Sequence, residues 1–304
     1  MLVKDKDVFL GIGMGLIASL IWGSWPVISK LAQIQSVTSV EISILRFGIS
    51  GLILLPVLFY HSVSWRIFFT KGVALSIGAG MPYVLLAMKG ISLSSSAHFG
   101  IIAPSCMLVV STLGSVCFLS ETLSRQRLAG VFVVVLGVLF VGWNSLNSMS
   151  PQVFIGDLMF VGCGVLWASF TLCCKYWQLS AWLATSMVSV VSGIVCLPLY
   201  AFNHDSLFTN LSVSTLLMHG TFQGVLVAIF ALYSYSKSVS LLGASKGSVF
   251  AALVPPFALC LGVIILNEVV TWVEVAGIAC VVLGMLFALG LIQLSYKKRL
   301  PAGV

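Results

Sequence analysis

The sequence predicts an all-α polytopic membrane protein: ten transmembrane helices arranged as two inverted five-helix repeats. Three observations carry this expectation. The 304 residues are 60% hydrophobic and only 8% charged, too few charges to cover the surface of a water-soluble domain of this length. The chain divides into ten apolar stretches, each close to the ~20 residues that cross a hydrocarbon core about 30 Å thick. The first half of the chain is also echoed in the second.

The stretches run over residues 8–30, 38–60, 72–88, 94–119 and 126–142 in the first half. In the second half they run over 154–174, 181–201, 214–236, 243–266 and 273–294. The connections are short, so function is expected inside the bilayer. The first stretch lacks a small-residue cleavage site and reads as a span, not a signal peptide. The eight cysteines form no CxxC pair and read as apolar packing residues.

The repeat is legible at two places. Leu20–Lys30 returns as Val165–Lys175, with Trp22, Ser24 and Lys30 falling on Trp167, Ser169 and Lys175. Residues 118–142 laid on 265–289 match identically at 10 of 25 positions, and Glu121 falls on Glu268. Chance likeness between apolar helices accounts for shared Val and Leu, but poorly for a matched Glu, Trp, Ser and Lys. The repeats are expected to span residues 1–146 and 147–304. Five spans per half is an odd number, so the second copy is inverted, the condition for alternating access.

Orientation follows from Lys and Arg. Twelve of the fifteen basic residues fall on the side of the termini, Lys30 and Lys89 on the other, and Arg46 within the second stretch. Both termini are therefore expected in the cytoplasm. The net charge of +7 follows this topology. It forms no basic cluster with interleaved aromatics, so nucleic-acid binding is not expected.

At this point the chain resembles a known family. The Trp-containing first span, Leu45-Arg46-Phe47, Phe118–Leu123, Pro255-Pro256-Phe257 and Leu266-Asn267-Glu268 are similar to the EamA-type drug/metabolite transporter superfamily. Pro255 has the family's spacing to its Glu, whereas Pro104 lies one turn further from Glu121. The resemblance implies that spans one to four and six to nine surround a central cavity, with spans five and ten peripheral.

Candidate solute-contacting residues follow from helical faces. Ser19, Trp22, Pro26 and Ser29 share one face of the first span, with Trp25 beside it. Gly164, Trp167, Thr171 and Cys174 share the matching face of the sixth. Such stripes should face protein or a cavity; close helix packing is the competing reading. Ser76 and Tyr83 in span three correspond to Gln223 and Phe230 in span eight, and seven residues apart places each pair on one α-helical face. Gln223 is a mid-membrane amide suited to orienting a polar group. His98 near the start of span four is suited to binding solute or carrying a proton, or to bonding a neighbouring helix. Lys246 is read chiefly as snorkelling to the interface.

Arg46 is the one charge well inside a span and reads as structural, tied to carbonyls at a neighbouring helix end. Glu121 and Glu268 read as structural charges tying helix ends together. Asp157, Glu41 and Glu274 all fall near span ends, and no chain of buried carboxylates is visible. Coupling through His98 or Glu41, or plain facilitated transport, is the expectation. No HExxH, GxSxG or paired intramembrane Asp is present, so neither an enzyme nor a metal site nor a cofactor is expected. Gly11-x-Gly13-x-Gly15 lies in an apolar span and reads as close helix packing, which permits a homodimer without requiring one.

The resulting expectation is a secondary transporter in a bacterial inner membrane, whose partners are the lipid bilayer and a small-molecule solute. The solute is expected to be a small amphipathic metabolite, an amino acid or related compound, moved outward. Import of a nucleoside or quaternary amine is the alternative within transport. A non-transporting scaffold or accessory subunit is the alternative outside it.

Overall fold

The computed structural model describes residues 5–147, 150–203, 207–209, 211–242 and 247–291. Lys246 lies outside them, as do Lys4, Lys297, Lys298 and Arg299, which contributed to the expected orientation. Among the described residues, eight helices are long and apolar enough to cross a membrane. They are α1 (Lys6–Ile34), α2 (Ser39–Tyr60), α3 (Trp65–Leu93), α4 (Ser96–Leu119), α5 (Arg125–Trp143), α6 (Pro151–Tyr176), α7 (Ala181–Phe202) and α8 (Val213–Leu242). Two shorter apolar helices follow, α9 (Phe250–Leu266) and α10 (Trp272–Ala288).

Local chemistry sets the ends. Thr38 and Glu41 close a capping box at the start of α2, and Thr271 and Glu274 close another at the start of α10; each satisfies two otherwise orphaned N–H groups. Helices stop at left-handed residues. Ser36 follows α1 and Gln178 follows α6; Ser62 follows α2 and Phe208 follows α7; Ser120 ends α4 and Asn267 ends α9. At the last pair the chain doubles back, so that Glu121 N donates to Ser115 O and Glu268 N to Gly262 O, as left-handed C-terminal caps do.

The third and eighth helices depart from regular winding, and the ninth begins as a 3-10 turn over Ser248–Leu253. The third begins earlier than expected, at Trp65, and breaks at Gly80, where Pro82 opens the second segment. The break frees the Met81 N–H, which donates to Ser192 Oγ of α7 at 3.3 Å. Within the bilayer only a protein partner can satisfy such a group. The eighth is wound as a π-helix over Thr221–Phe230.

The packing is pairwise. Helix α1 lies against α8 and α9, α6 against α3 and α4, α2 against α7, and α5 against α10. The α5–α10 seam is drawn together by glycine: a Cβ on Gly137 would stand 2.7 Å from Gly277 O, and one on Gly277 would stand 3.0 Å from Gly137 O. Neither glycine tolerates a side chain at the crossing. The outer surface is broadly apolar, with Phe9, Leu52 and Phe132 exposed. That face suits lipid and would be costly in water. Arg46, Trp25, Tyr83 and Phe99 are buried at the centre.

Candidate functional site

A cavity of about 500 Å³ lies at the centre of the bundle. Its wall includes Trp22 and Trp25 from α1, Arg46 and Phe47 from α2, Tyr83 from α3, Phe99 from α4, Trp167 from α6 and Tyr235 from α8. The rings form a connected series. Trp25 stacks on Tyr83 at 6.2 Å and meets Phe99 at 5.0 Å; Tyr83 meets Trp167 at 4.9 Å, and Trp22 meets Tyr235 at 5.4 Å. These spacings are those of favourable offset and tilted aromatic pairs. The lining also takes in Cys174, Leu179 and Ala181, so the cavity reaches the α6–α7 turn at the end of the bundle where α1 begins.

Among the described residues, one cation, Arg46, lines this cavity. Arg46 is 7% exposed, its Cζ lies 5.6 Å from the Trp25 ring centroid, and its Nε has no hydrogen-bond partner. Among the described residues its side chain makes one hydrogen bond, from Nη1 to Gln223 Oε1, and that is long at 3.5 Å. Among the described residues, no carboxylate lies within 4.0 Å of the guanidinium. The expected tie to helix-end carbonyls is not what surrounds it.

Gln223 stands behind the wall and is not part of the cavity lining. It is fully buried. Its Oε1 accepts from Trp25 Nε1 at 2.8 Å and its Nε2 donates to Ser29 Oγ at 3.3 Å. The amide therefore fixes the Trp25 ring. Phe230 is not in the wall either, and is 39% exposed. The reason is the winding: a π-helix takes about 4.4 residues per turn, so seven residues no longer complete two turns. Gln223 points inward, and Phe230 comes out on the far side. Trp22, Trp25, Tyr83 and Trp167, by contrast, are brought to one cavity.

The opposite end of the bundle is closed by polar ties. Lys30 Nζ donates to Ile91 O at 2.5 Å and to Ser94 O at 3.1 Å, at the C-terminus of α3. Gln33 Nε2 donates to Met88 O, and His219 Nε2 pairs with Gln35 Oε1. Glu268 accepts from Ser96 N at 2.9 Å, Ser96 Oγ at 2.9 Å and Ala97 N at 3.3 Å, a carboxylate seated on the α4 N-terminus. Glu41, besides its capping box, accepts from Phe208 N. At the other end of the bundle Glu121 bonds Lys175, with Arg127 4.0 Å away. The Lys175 hydrogen bond holds the Glu121 carboxyl below the usual carboxylate range.

His98 is also at the closed end and away from the cavity lining. Its Nδ1 lies 3.0 Å from Asp157 Oδ1, and its Nε2 lies 2.7 Å from Glu274 Oε1. Asp157 and Glu274 are 6% and 7% exposed. The expectation that no buried carboxylates group together is thus corrected. All three residues stand near the starts of helices, which in sequence resemble interfacial positions; the fold brings α4, α6 and α10 together there and covers them.

Comparison with known proteins decides the family. The profile of the EamA-like transporter family matches residues 9–143 and again residues 154–290. The chain belongs to the EamA-like transporter family. It is therefore a multi-pass membrane transporter of the drug/metabolite type. It is similar to the uncharacterized transporter YetK of Bacillus subtilis (strain 168), 26% identical over 295 residues that cover 93% of this chain and 87% of that protein. An uncharacterized transporter of Archaeoglobus fulgidus is 25% identical over 259 residues, covering 83% of this chain and 89% of the relative. A solved crystal structure superposes with a TM-score of 0.62 at 16% identity, over 97% of this chain and 99% of that one. At that identity the likeness is one of fold.

Proposed function

We propose that this chain is an inner-membrane secondary transporter that exports a small amphipathic metabolite by alternating access. The solute is an amino acid or related compound with an apolar body and a carboxylate. The observation that carries this reading is Arg46, a buried guanidinium facing an aromatic cavity with no carboxylate of the described residues within 4.0 Å. A buried charge without a partner is costly, and a solute carboxylate supplies the missing partner in a geometry that guanidinium favours. Trp22, Trp25, Tyr83 and Trp167 offer π faces to the rest of the solute. The same positive charge disfavours a quaternary amine.

Alternating access between two inverted repeats is supported by the pairing of helices. Contacts of α1 with α8 and α9 mirror those of α6 with α3 and α4, and left-handed residues recur at corresponding helix ends. With the termini in the cytoplasm, as the Lys and Arg bias indicates, the cavity is accessible from the cytoplasm and closed toward the outside. Loading from the cytoplasm is the first step of export.

The test is counterflow in proteoliposomes against labelled pools of amino acids, nucleosides and quaternary amines. The expected result is accumulation from the amino-acid pool, lost in Trp167→Ala. Accumulation from another pool alone would replace the solute class. Silence in every pool would favour a scaffold.

A further inference from the structure

We infer that His98, Asp157 and Glu274 form a proton-binding site that couples solute transport to the proton gradient. This rests on the reading of the chain as a transporter of solute through the central cavity.

Three features carry it. The first is hydrogen-bond chemistry. Both ring nitrogens of His98 face carboxylate oxygens, Nδ1 that of Asp157 at 3.0 Å and Nε2 that of Glu274 at 2.7 Å. A neutral imidazole has one N–H and one lone pair, so it can donate to only one of them. Both contacts become hydrogen bonds only when the cluster holds an additional proton, as imidazolium or on a carboxyl. The second is support. Ser94 Oγ donates to Asp157 Oδ1 at 2.8 Å, and Glu274 Oε2 accepts from Thr271 N at 2.6 Å and Thr271 Oγ1 at 2.9 Å. The carboxylates are held in place whether or not His98 is charged.

The third is position. His98 belongs to the first half of the chain and both carboxylates to the second, so the cluster fastens the halves at the closed end. The other charged groups near it are already engaged: Glu268 on Ser96 and Ala97, and Lys30 on the carbonyls of Ile91 and Ser94. Lys89 on α3 is exposed, and α5 carries its arginines at the far end, where Arg127 donates to Thr112 Oγ1. None of the three cluster residues lines the cavity, although Phe99, next in sequence to His98, does.

Helices α4 and α6 pack along their length, whereas α10 meets α4 only near this end, so opening this end by moving α10 away parts Glu274 from His98 and exposes the cluster to water on that side. A proton taken up there is then held when the end closes, and it leaves toward the cavity when solute enters from the other side. Such a buried, inward-facing group of ionisable residues is what proton relays in membranes are made of.

The test uses the full chain in proteoliposomes and the labelled pool that exchanges in counterflow. Two readouts are compared, counterflow without a gradient and net movement driven by an imposed pH gradient. In the wild type, the gradient should drive net movement. In His98→Gln and in Asp157→Asn, counterflow should stay within about twofold of wild type, the range of a substitution worth about 0.5 kcal/mol, while gradient-driven movement is lost. Counterflow with no gradient effect in the wild type overturns the proton site and leaves the transporter reading standing. Gradient-driven movement retained in both variants also overturns it. Absence of counterflow in the wild type removes the transporter reading, and this inference with it.

Discussion

The indole N–H of Trp25 donates to Gln223 Oε1 at 2.8 Å, a bond between α1 and α8 that lies behind the cavity wall. It fixes the ring that stands between Arg46, Tyr83 and Phe99. Trp25→Phe keeps an aromatic ring, though a smaller one, and removes the donor. It is expected to lower stability by about 0.6–1.7 kcal/mol, the range for hydrogen bonds between helices in a membrane. Thermal unfolding in detergent, followed by intrinsic fluorescence, reads this out. Gln223→Leu should cost at least as much, because Trp25 Nε1 and Ser29 Oγ both lose their partner.

Trp167 and Phe230 should behave in opposite ways. Trp167 meets both Tyr83 and Phe170 on the cavity wall, so Trp167→Ala should abolish counterflow. Phe230 faces outward, and Phe230→Ala should leave counterflow and stability within about 0.5 kcal/mol of wild type. Equal loss in the two variants would mean that the π-wound stretch of α8 is misassigned.

The α5–α10 seam predicts a purely structural phenotype. Gly137→Val places a side chain against the Gly277 carbonyl and should destabilise by about 1–3 kcal/mol through overpacking. The protein that does fold should retain its counterflow, since neither helix contributes to the cavity wall. A variant of full stability would contradict the close crossing.

Glu121 carries a pH dependence whose sign is fixed. Its carboxyl is held below the usual value of 4.5 by Lys175, so the folded pKa is depressed relative to the unfolded one. The stabilisation is fully present above the unfolded value and is lost as pH falls through the folded one. Exposure to solvent makes the effect small and sensitive to salt. Melting temperature against pH should therefore show an acid-side decline that Glu121→Gln reduces and high salt weakens.

Much of the architecture is legible in the sequence because membrane helices obey few rules. Length and apolar content lead from the sequence alone to an all-helical chain that crosses a membrane many times. The cavity aromatics Trp22, Trp25, Tyr83 and Trp167 follow from α-helical faces. Phe230 fails for the same reason that they succeed: face arithmetic assumes 3.6 residues per turn, and Thr221–Phe230 is wound as a π-helix. The His98–Asp157–Glu274 cluster is out of reach for another reason. Its members come from three helices far apart in the chain, and nothing local distinguishes a covered helix start from one at the interface. Arg46 is visible as an anomaly in sequence, but that no carboxylate among the described residues stands beside it emerges only from the fold.

The central claim is that Arg46 and the aromatic wall read a solute carboxylate attached to an apolar body. The most direct measurement is counterflow of labelled L-phenylalanine in proteoliposomes, with unlabelled 3-phenylpropionate or 2-phenylethylamine as competitor, for wild type and Arg46→Gln. The account predicts that the carboxylate competes and the amine does not. It also predicts that Arg46→Gln loses at least about 2 kcal/mol, or ~30-fold, in apparent affinity. Competition by the amine alone, with Arg46→Gln as active as wild type, would contradict the account.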